Sequence, residues 1–152
     1  MHTSRKPLFW GLVLKDNNGT VILSACMREQ IAVTPMLAEA LVLRWAIQTA
    51  ISQGIQSVSF ACDALGVVNY VNCKCTVAAI DHIIQDCRNL LKSIPFVMVS
   101  HVRRELNREA HELASMAMSA GCRTWLGIVP SNLNSFPVSA VSVGQVQANS
   151  YY

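Results

Sequence analysis

The alternation of apolar and polar positions at the start of the chain predicts a β-hairpin. Two apolar runs, 8–15 and 20–27, flank the tetrapeptide Asp16-Asn17-Asn18-Gly19. Asn-Gly between two apolar runs is a strong hairpin signal because both residues tolerate positive φ. The first two elements are therefore expected to be antiparallel strands.

The pattern then changes between helical and strand periods. Thr34 and Pro35 provide an N-cap and a first helical residue, which predicts a long helix that runs to Gln53 and stops at Gly54. Val58, Phe60 and Cys62 alternate as in a buried strand, and that strand ends at Asp63. The rest of the pattern predicts helices at 65–72 and 77–92, a strand at 96–102, and a helix from Asn107 that stops at Gly121.

The segment after Pro130 has a different composition. It contains no charged residue and no helical period, so we expect residues 131–152 to be an extended or disordered extension. Residues 8–130 are expected to form one domain, because 52 % hydrophobic and 14 % charged residues are typical of a globular chain.

Composition also bears on the compartment. No apolar run approaches the roughly 18 residues of a membrane span, and the start M-H-T-S-R-K-P lacks the apolar core of a secretory signal. We expect an intracellular monomer, cytoplasmic or nuclear. Most of the six cysteines lie in apolar segments, which suits buried thiols in a reducing compartment, and the pair Cys73 and Cys75 lacks partners for a zinc site.

Asp63 is the first candidate for chemistry. A carboxylate at the carboxyl end of a strand in an α/β sheet lies where ligands usually bind. The alternative is that Asp63 only caps the next helix. Three cations, Arg103, Arg104 and Arg108, lie within six positions of one another and could contact a polyanion.

Four segments carry a resemblance to a known family. They are G-L-V-L-K-D-N-N-G-T-V (11–21), T-P-M-L-A-E-A-L-V-L (34–43), A-C-D-A-L (61–65) and S-H-V-R-R-E-L-N-R-E-A-H-E-L-A (100–114). In this order they resemble the plant-type RNase H-like domain, which also occurs in non-LTR retroelement reverse transcriptases. The resemblance implies an α/β fold in which helices flank a mixed sheet. It also implies hydrolysis of the RNA strand of an RNA–DNA hybrid with two Mg²⁺ ions.

The resemblance also implies roles for individual residues. Glu39 and Asp63 match two of the family's four acidic positions and would be Mg²⁺ ligands, whereas the fourth position falls on His111, a possible auxiliary base. The first acidic position belongs to an opening strand, and no Asp or Glu precedes Asp16. That strand would be the centre of the sheet. Either Met1 to Phe9 replaces it in part, or the fold is incomplete there.

Three hypotheses about function remain open at this stage. In the first, the chain is a metal-dependent ribonuclease H with catalytic Glu39, Asp63 and His111. In the second, it is a binding module for hybrid or other nucleic acid. In the third, it is an inactive retroelement-derived fragment. The expected nucleic-acid contacts are Asn107 and the three arginines. Because only two of four acidic positions are recognisable, we expect weak or absent cleavage. Glu39 could instead be a solvated first-turn residue, and His111 a polar residue at a helix edge.

Overall fold

The computed structural model begins with the predicted hairpin, which is longer than the sequence pattern indicated. Strand β1 (Lys6–Lys15) pairs antiparallel with β2 (Val21–Ile31). In the turn, Asp16 Oδ1 accepts hydrogen bonds from the backbone N–H groups of Asn18 and Thr20, each at 2.9 Å, and Gly19 has a φ of 80°. The structure describes residues 6–16, 18–31, 34–73, 80–127 and 141–147.

Helix α1 (Pro35–Ser52) begins and ends where its capping signals predicted. Thr34 Oγ1 accepts a hydrogen bond from Leu37 N–H at 3.2 Å, and Gly54 after the helix has a φ of 70°. No helix among the described residues combines the length and the apolar character that a membrane span needs.

The other elements follow the predicted order, with two additions. They are β3 (Ser57–Cys62), α2 (Leu65–Cys73), α3 (Asp81–Leu91), β4 (Phe96–His101), a 3₁₀ turn (Arg104–Asn107), α4 (Arg108–Ala120), β5 (Arg123–Leu126) and β6 (Val141–Gln147). Helix α3 is shorter than the predicted 77–92, of which residues 77–79 lie outside the described residues. The sequence pattern had indicated neither β5 nor β6.

Strand β6 forms the centre of the sheet. The strand order is β4-β3-β6-β1-β2-β5, and β6 runs antiparallel to β1 and parallel to β3. Residues 131–152 were expected to be an extended or disordered extension, and within them Val141–Gln147 form an extended strand of the sheet, while 131–140 and 148–152 lie outside the described residues. The physical reason is that β1 and β3 each present a row of N–H and C=O groups, and pairing with both rows orders a segment that has little signal of its own.

The same strand resolves the question of the missing opening strand. Within the described residues neither predicted alternative holds, because Lys6 to Phe9 lengthen β1 and pair with β2, while β6 occupies the position between β1 and β3. The central strand thus comes last among the described elements instead of first.

Helices cover both faces of the sheet. On one face the sheet packs against α1, α2 and α3, in a core whose fully buried members include Leu12, Leu43, Ile47, Phe60 and Ile84. On the other face α4 packs through Leu113, Ala114 and Ala117 on Phe9, Val13 and Cys26.

Helix α4 is held on β1 by a close approach and by a buried ion pair. A Cβ atom placed on Gly11 would lie 1.9 Å from the carbonyl oxygen of Ala110 and 2.6 Å from the nitrogen of Ala114, so the helix backbone lies directly on the glycine. Lys15 Nζ lies 2.5 Å from Glu109 Oε1, and both side chains are buried. These two contacts fix the position of the first turns of α4.

Candidate functional site

Asp63 and His111 meet although they lie far apart in the sequence. Asp63 directly follows β3, and His111 lies in the first turn of α4, which Gly11 and Lys15 hold in place. His111 Nε2 is 2.6 Å from Asp63 Oδ2, and both side chains are largely buried. This hydrogen bond therefore connects the end of β3 to helix α4, which a residue that only capped the next helix would not do.

Glu39 brings helix α1 to the same place. Ligand atoms of Glu39, Cys62 and Asp63 all lie within 4.8 Å of one another. The pKa of the Glu39 carboxyl is raised to about 8, chiefly by burial and also by the nearby Asp63 carboxylate, while Arg104 acts to lower it. Glu39 Oε2 is buried without a hydrogen-bond partner, so the solvated first-turn residue considered above does not describe Glu39.

Cys62 is the member of this group that the sequence pattern did not identify as a site residue. Its side chain is fully buried, and burial raises the pKa of the thiol to about 12 because a thiolate is poorly solvated there. The one signal in the sequence was its place next to Asp63 at the end of a strand. That signal was weak, since Cys62 also fits the alternation of a buried strand.

The four residues predicted to contact nucleic acid differ in exposure: the three arginines are exposed and the asparagine is buried. Arg103, Arg104 and Arg108 are exposed, and Arg108 Nε lies 3.3 Å from Glu112 Oε1. Asn107 has no exposed surface, so its side chain cannot make the direct contact that we expected. It does occupy the N-cap position of α4, although its side chain makes no capping hydrogen bond.

A backbone hydrogen bond places the arginine segment beside the carboxylates. The backbone N–H of Val102 donates to the carbonyl oxygen of Cys62 at 3.0 Å, directly before Asp63. Arg103 and Arg104 follow immediately, and the positive charge of Arg104 acts on the pKa of Glu39. Cations therefore border the group formed by Glu39, Asp63 and His111.

The residues present do not fit a pair of Mg²⁺ ions. Such a pair, roughly 4 Å apart, requires several hard carboxylate ligands. Here Glu39 and Asp63 provide carboxylates, one Asp63 oxygen already bonds to His111, and the sequence of β6, V-S-V-G-Q-V-Q, contains no Asp or Glu. The cluster is compatible with a divalent metal ion, but not with the two-magnesium arrangement that the resemblance implied.

Comparison with known proteins identifies the family. Residues 5–117 match the family model described as "Reverse transcriptase-like". The chain belongs to the reverse transcriptase-like family. No curated protein matches the sequence.

Solved structures show the fold of this reverse transcriptase-like domain. RNase H1 from the halophilic archaeon Halobacterium salinarum superposes with a TM-score of 0.57 at 18 % identity, covering 74 % of this chain and 96 % of that protein. The N-terminal RNase H domain of a Mycobacterium tuberculosis protein, fused to maltose-binding protein, gives a TM-score of 0.54 at 18 % identity, covering 77 % and 96 %. The predicted RNase H-like α/β fold is thereby confirmed.

Proposed function

We propose that this RNase H-like domain binds nucleic acid, with an RNA–DNA hybrid as its preferred duplex, and cleaves it weakly or not at all. The observation that carries the proposal is the 2.6 Å hydrogen bond between His111 and Asp63. His111 has an imidazole ring at the position for which the resemblance implies an acidic ligand. The hydrogen bond also occupies one oxygen of the Asp63 carboxylate.

The exposed cations support the binding part of the proposal. Arg103 and Arg104 lie next to the site, where they can contact phosphate groups of a duplex that passes over Asp63. A hybrid is recognised mainly through its A-like shape, its phosphates and its 2′-hydroxyl groups, so few base contacts are needed. His101 and Leu106, both exposed, extend this surface on either side of the arginines.

The carboxylates support the second part of the proposal. The family's chemistry implies Mg²⁺ that activates water and stabilises the leaving oxygen. Glu39 and Asp63 would be its ligands here, but Glu39 has a raised pKa and Asp63 is bonded to His111. Loss of one preorganised electrostatic element in an active site commonly costs on the order of 10²–10³ in rate. We therefore expect binding to be retained where hydrolysis is not.

Binding can be tested by fluorescence anisotropy with a labelled RNA–DNA hybrid and with duplex DNA, over a series of salt concentrations. Arg104→Ala should weaken hybrid binding and reduce the slope of log affinity against log salt by about 1, because one arginine no longer neutralises a phosphate. Arg123→Ala is the matched control, because Arg123 is also an exposed arginine and lies on β5, which follows the C-terminal end of α4. Equal effects of the two variants would remove Arg104 from the interface.

Cleavage can be tested with the same labelled hybrid in Mg²⁺ and in Mn²⁺. We expect little or no product in Mg²⁺ and at most partial rescue in Mn²⁺. Asp63→Asn serves to identify contaminating nuclease, since it removes a carboxylate of the site. Robust cleavage that disappears in Asp63→Asn would show that the domain is an active ribonuclease and would overturn this part of the proposal.

A further inference from the structure

Strands β3 and β4 carry two large exposed apolar side chains on one face of the sheet. Phe96 is 72 % exposed and Met98 is 63 % exposed, and the register places Phe96 beside Ser57 and Met98 beside Ser59. Two neighbouring exposed apolar side chains on a sheet face indicate a surface that binds something, whereas a single one is ordinary. We refer to these four residues and Ser100 as the β3–β4 face.

The packing of the helices explains why this face is accessible. The alternate residues of both strands, among them Phe60 and Val99, pack into the core with α1, α2 and α3. Because side chains alternate along a strand, the β3–β4 face lies on the side of the sheet that carries α4. Helix α4 packs on β1, β2 and β6. In the described part of the chain, the helices therefore leave Phe96 and Met98 accessible to a ligand.

The β3–β4 face continues into the arginine segment. Strand β4 ends at His101, and the exposed Arg103 and Arg104 follow it. The path from Phe96 to His101 is about 17 Å long at roughly 3.3 Å per residue. At a rise of roughly 3.4 Å per nucleotide, a strand held by the arginines reaches Phe96 after about five nucleotides.

The chemistry of the face favours a nucleobase over a protein partner. Neither β3 nor β4 contains an acidic residue, so the face does not repel a polyanion. The ring of Phe96 offers a stacking surface, and the serine hydroxyls can donate and accept hydrogen bonds. At about 250 Å² for a large side chain, Phe96 and Met98 together expose at most about 340 Å². A stable protein partner covers about 800 Å².

We propose that the β3–β4 face binds a single-stranded segment that continues from the duplex at the arginines, with one base stacked on Phe96. This inference rests on the proposed function, because the bound duplex brings the strand to the face. Base stacking on an aromatic ring tolerates any base, so the length of the unpaired segment matters and its sequence does not. The preferred substrate is therefore a hybrid with a single-stranded end.

Fluorescence anisotropy with a blunt RNA–DNA hybrid, and with hybrids that carry about eight unpaired nucleotides at the 3′ or the 5′ end, tests the inference. We expect one of the overhangs to raise the affinity on the order of tenfold, the effect of one stacked base. Phe96→Ala should abolish this gain and leave the affinity for the blunt hybrid unchanged, whereas Phe96→Tyr should retain it. No gain from either overhang, or a gain that survives in Phe96→Ala, would overturn the proposal.

Leu126 provides the matched control. It is 71 % exposed and lies on β5, at the opposite edge of the sheet, so Leu126→Ala should keep the gain from the overhang. Arg104→Ala should weaken the binding of blunt and overhang hybrids alike, so failure of duplex binding and failure of the β3–β4 face are distinguishable. If the blunt hybrid does not bind, single-stranded RNA tests the face, and equal affinities of wild type and Phe96→Ala for it would contradict the proposal.

Two further measurements identify what occupies the face. In Phe96→Trp, the fluorescence of the added tryptophan, measured against wild type, should be quenched by the overhang hybrid and not by the blunt one. Equal quenching by both would contradict stacking at this position. Sedimentation velocity tests the alternative occupant, a second copy of the chain. Dimerisation that Phe96→Ala abolishes would assign the face to that copy and overturn the proposal.

Discussion

At the scale of single residues, the raised pKa of Glu39 makes stability depend on pH. The carboxyl group has a pKa of about 8 in the folded protein, against an ordinary value of 4.5. At pH values between these two pKa values, the unfolded chain has lost a proton that the folded chain retains. The free energy of unfolding therefore falls as pH rises. The decline is at most about 1.4 kcal/mol per pH unit, and it ends above the folded pKa.

We predict that Glu39→Gln removes this decline, because glutamine is neutral at every pH in the range. Urea unfolding at several pH values between about 5 and 8.5, without added metal, measures how the free energy of unfolding changes with pH. The variant should be more stable than the wild type near the upper end of that range. Glu112→Gln is a control, because Glu112 is half-buried and close to the exposed Arg108. Parallel stability curves for wild type and Glu39→Gln would show that Glu39 is charged in the folded protein.

The site residues differ in how far the sequence could predict them. Glu39, Asp63 and His111 lie at family positions, and their motifs led to a group that the structure brings together. The burial of Asn107 was not predictable, because capping positions are usually solvated and this one is completely buried. The placement of Cys62 beside Glu39 depends on contact between α1 and β3, which no local pattern encodes.

At the scale of elements, the position of α4 decides whether His111 can reach Asp63. Gly11 permits the helix backbone to lie on β1, and the buried pair of Lys15 and Glu109 anchors the same helix. Removing one partner of a buried ion pair commonly costs about 3–5 kcal/mol, because the other charge is left behind. Both contacts connect strand β1 to the first turns of α4.

We predict that Gly11→Ala destabilises the protein by at least about 3 kcal/mol, since the methyl group would overlap backbone atoms that cannot move independently. Thermal unfolding followed by circular dichroism measures the change. Gly66→Ala is the matched control. Gly66 lies in helix α2, and a Cβ added there would contact only Met36 Cε, at 3.5 Å. That variant should be neutral or slightly more stable. Equal melting temperatures for the two variants would contradict the close packing of α4.

Elements with strong local signals were predictable, and those without were not. Capping by Thr34, the turn at Asp16 and the stop at Gly121 each correspond to a hydrogen bond or a positive φ in the structure. Strands β5 and β6 depend on pairing with strands that are distant in sequence. Their order therefore comes from tertiary contacts, which outweigh weak propensities.

At the scale of the whole molecule, β6 joins two parts of the sheet. Within the described residues, β1, β2 and β5 form one hydrogen-bonded part of the sheet, and β3 and β4 form the other. Strand β6 pairs with both parts, through β1 and β3. A strand bonded on both sides tolerates proline poorly, because proline cannot donate a ladder hydrogen bond and its ring clashes with its neighbours.

We predict that Val143→Pro destabilises the whole domain by about 3 kcal/mol or more and separates unfolding into two transitions. Val143→Ala keeps the backbone N–H and should have a smaller effect. Hydrogen exchange measured by mass spectrometry would show faster exchange in both β1 and β3 for the proline variant. If Val143→Pro were no less stable than Val143→Ala, β6 would not be the central strand.

The late position of β6 has a consequence for how the protein is made. During translation, every other described strand leaves the ribosome before Val141, so the nascent chain carries two unjoined ladders with exposed edges. Closing the sheet brings Leu8 opposite Gln147, a contact between distant parts of the chain that forms slowly because a long loop must close first. Until then the edges of β1 and β3 are open to pairing with other chains. Synthesis at high rates should therefore favour aggregation, and chaperones that cover strand edges should raise the yield of folded protein.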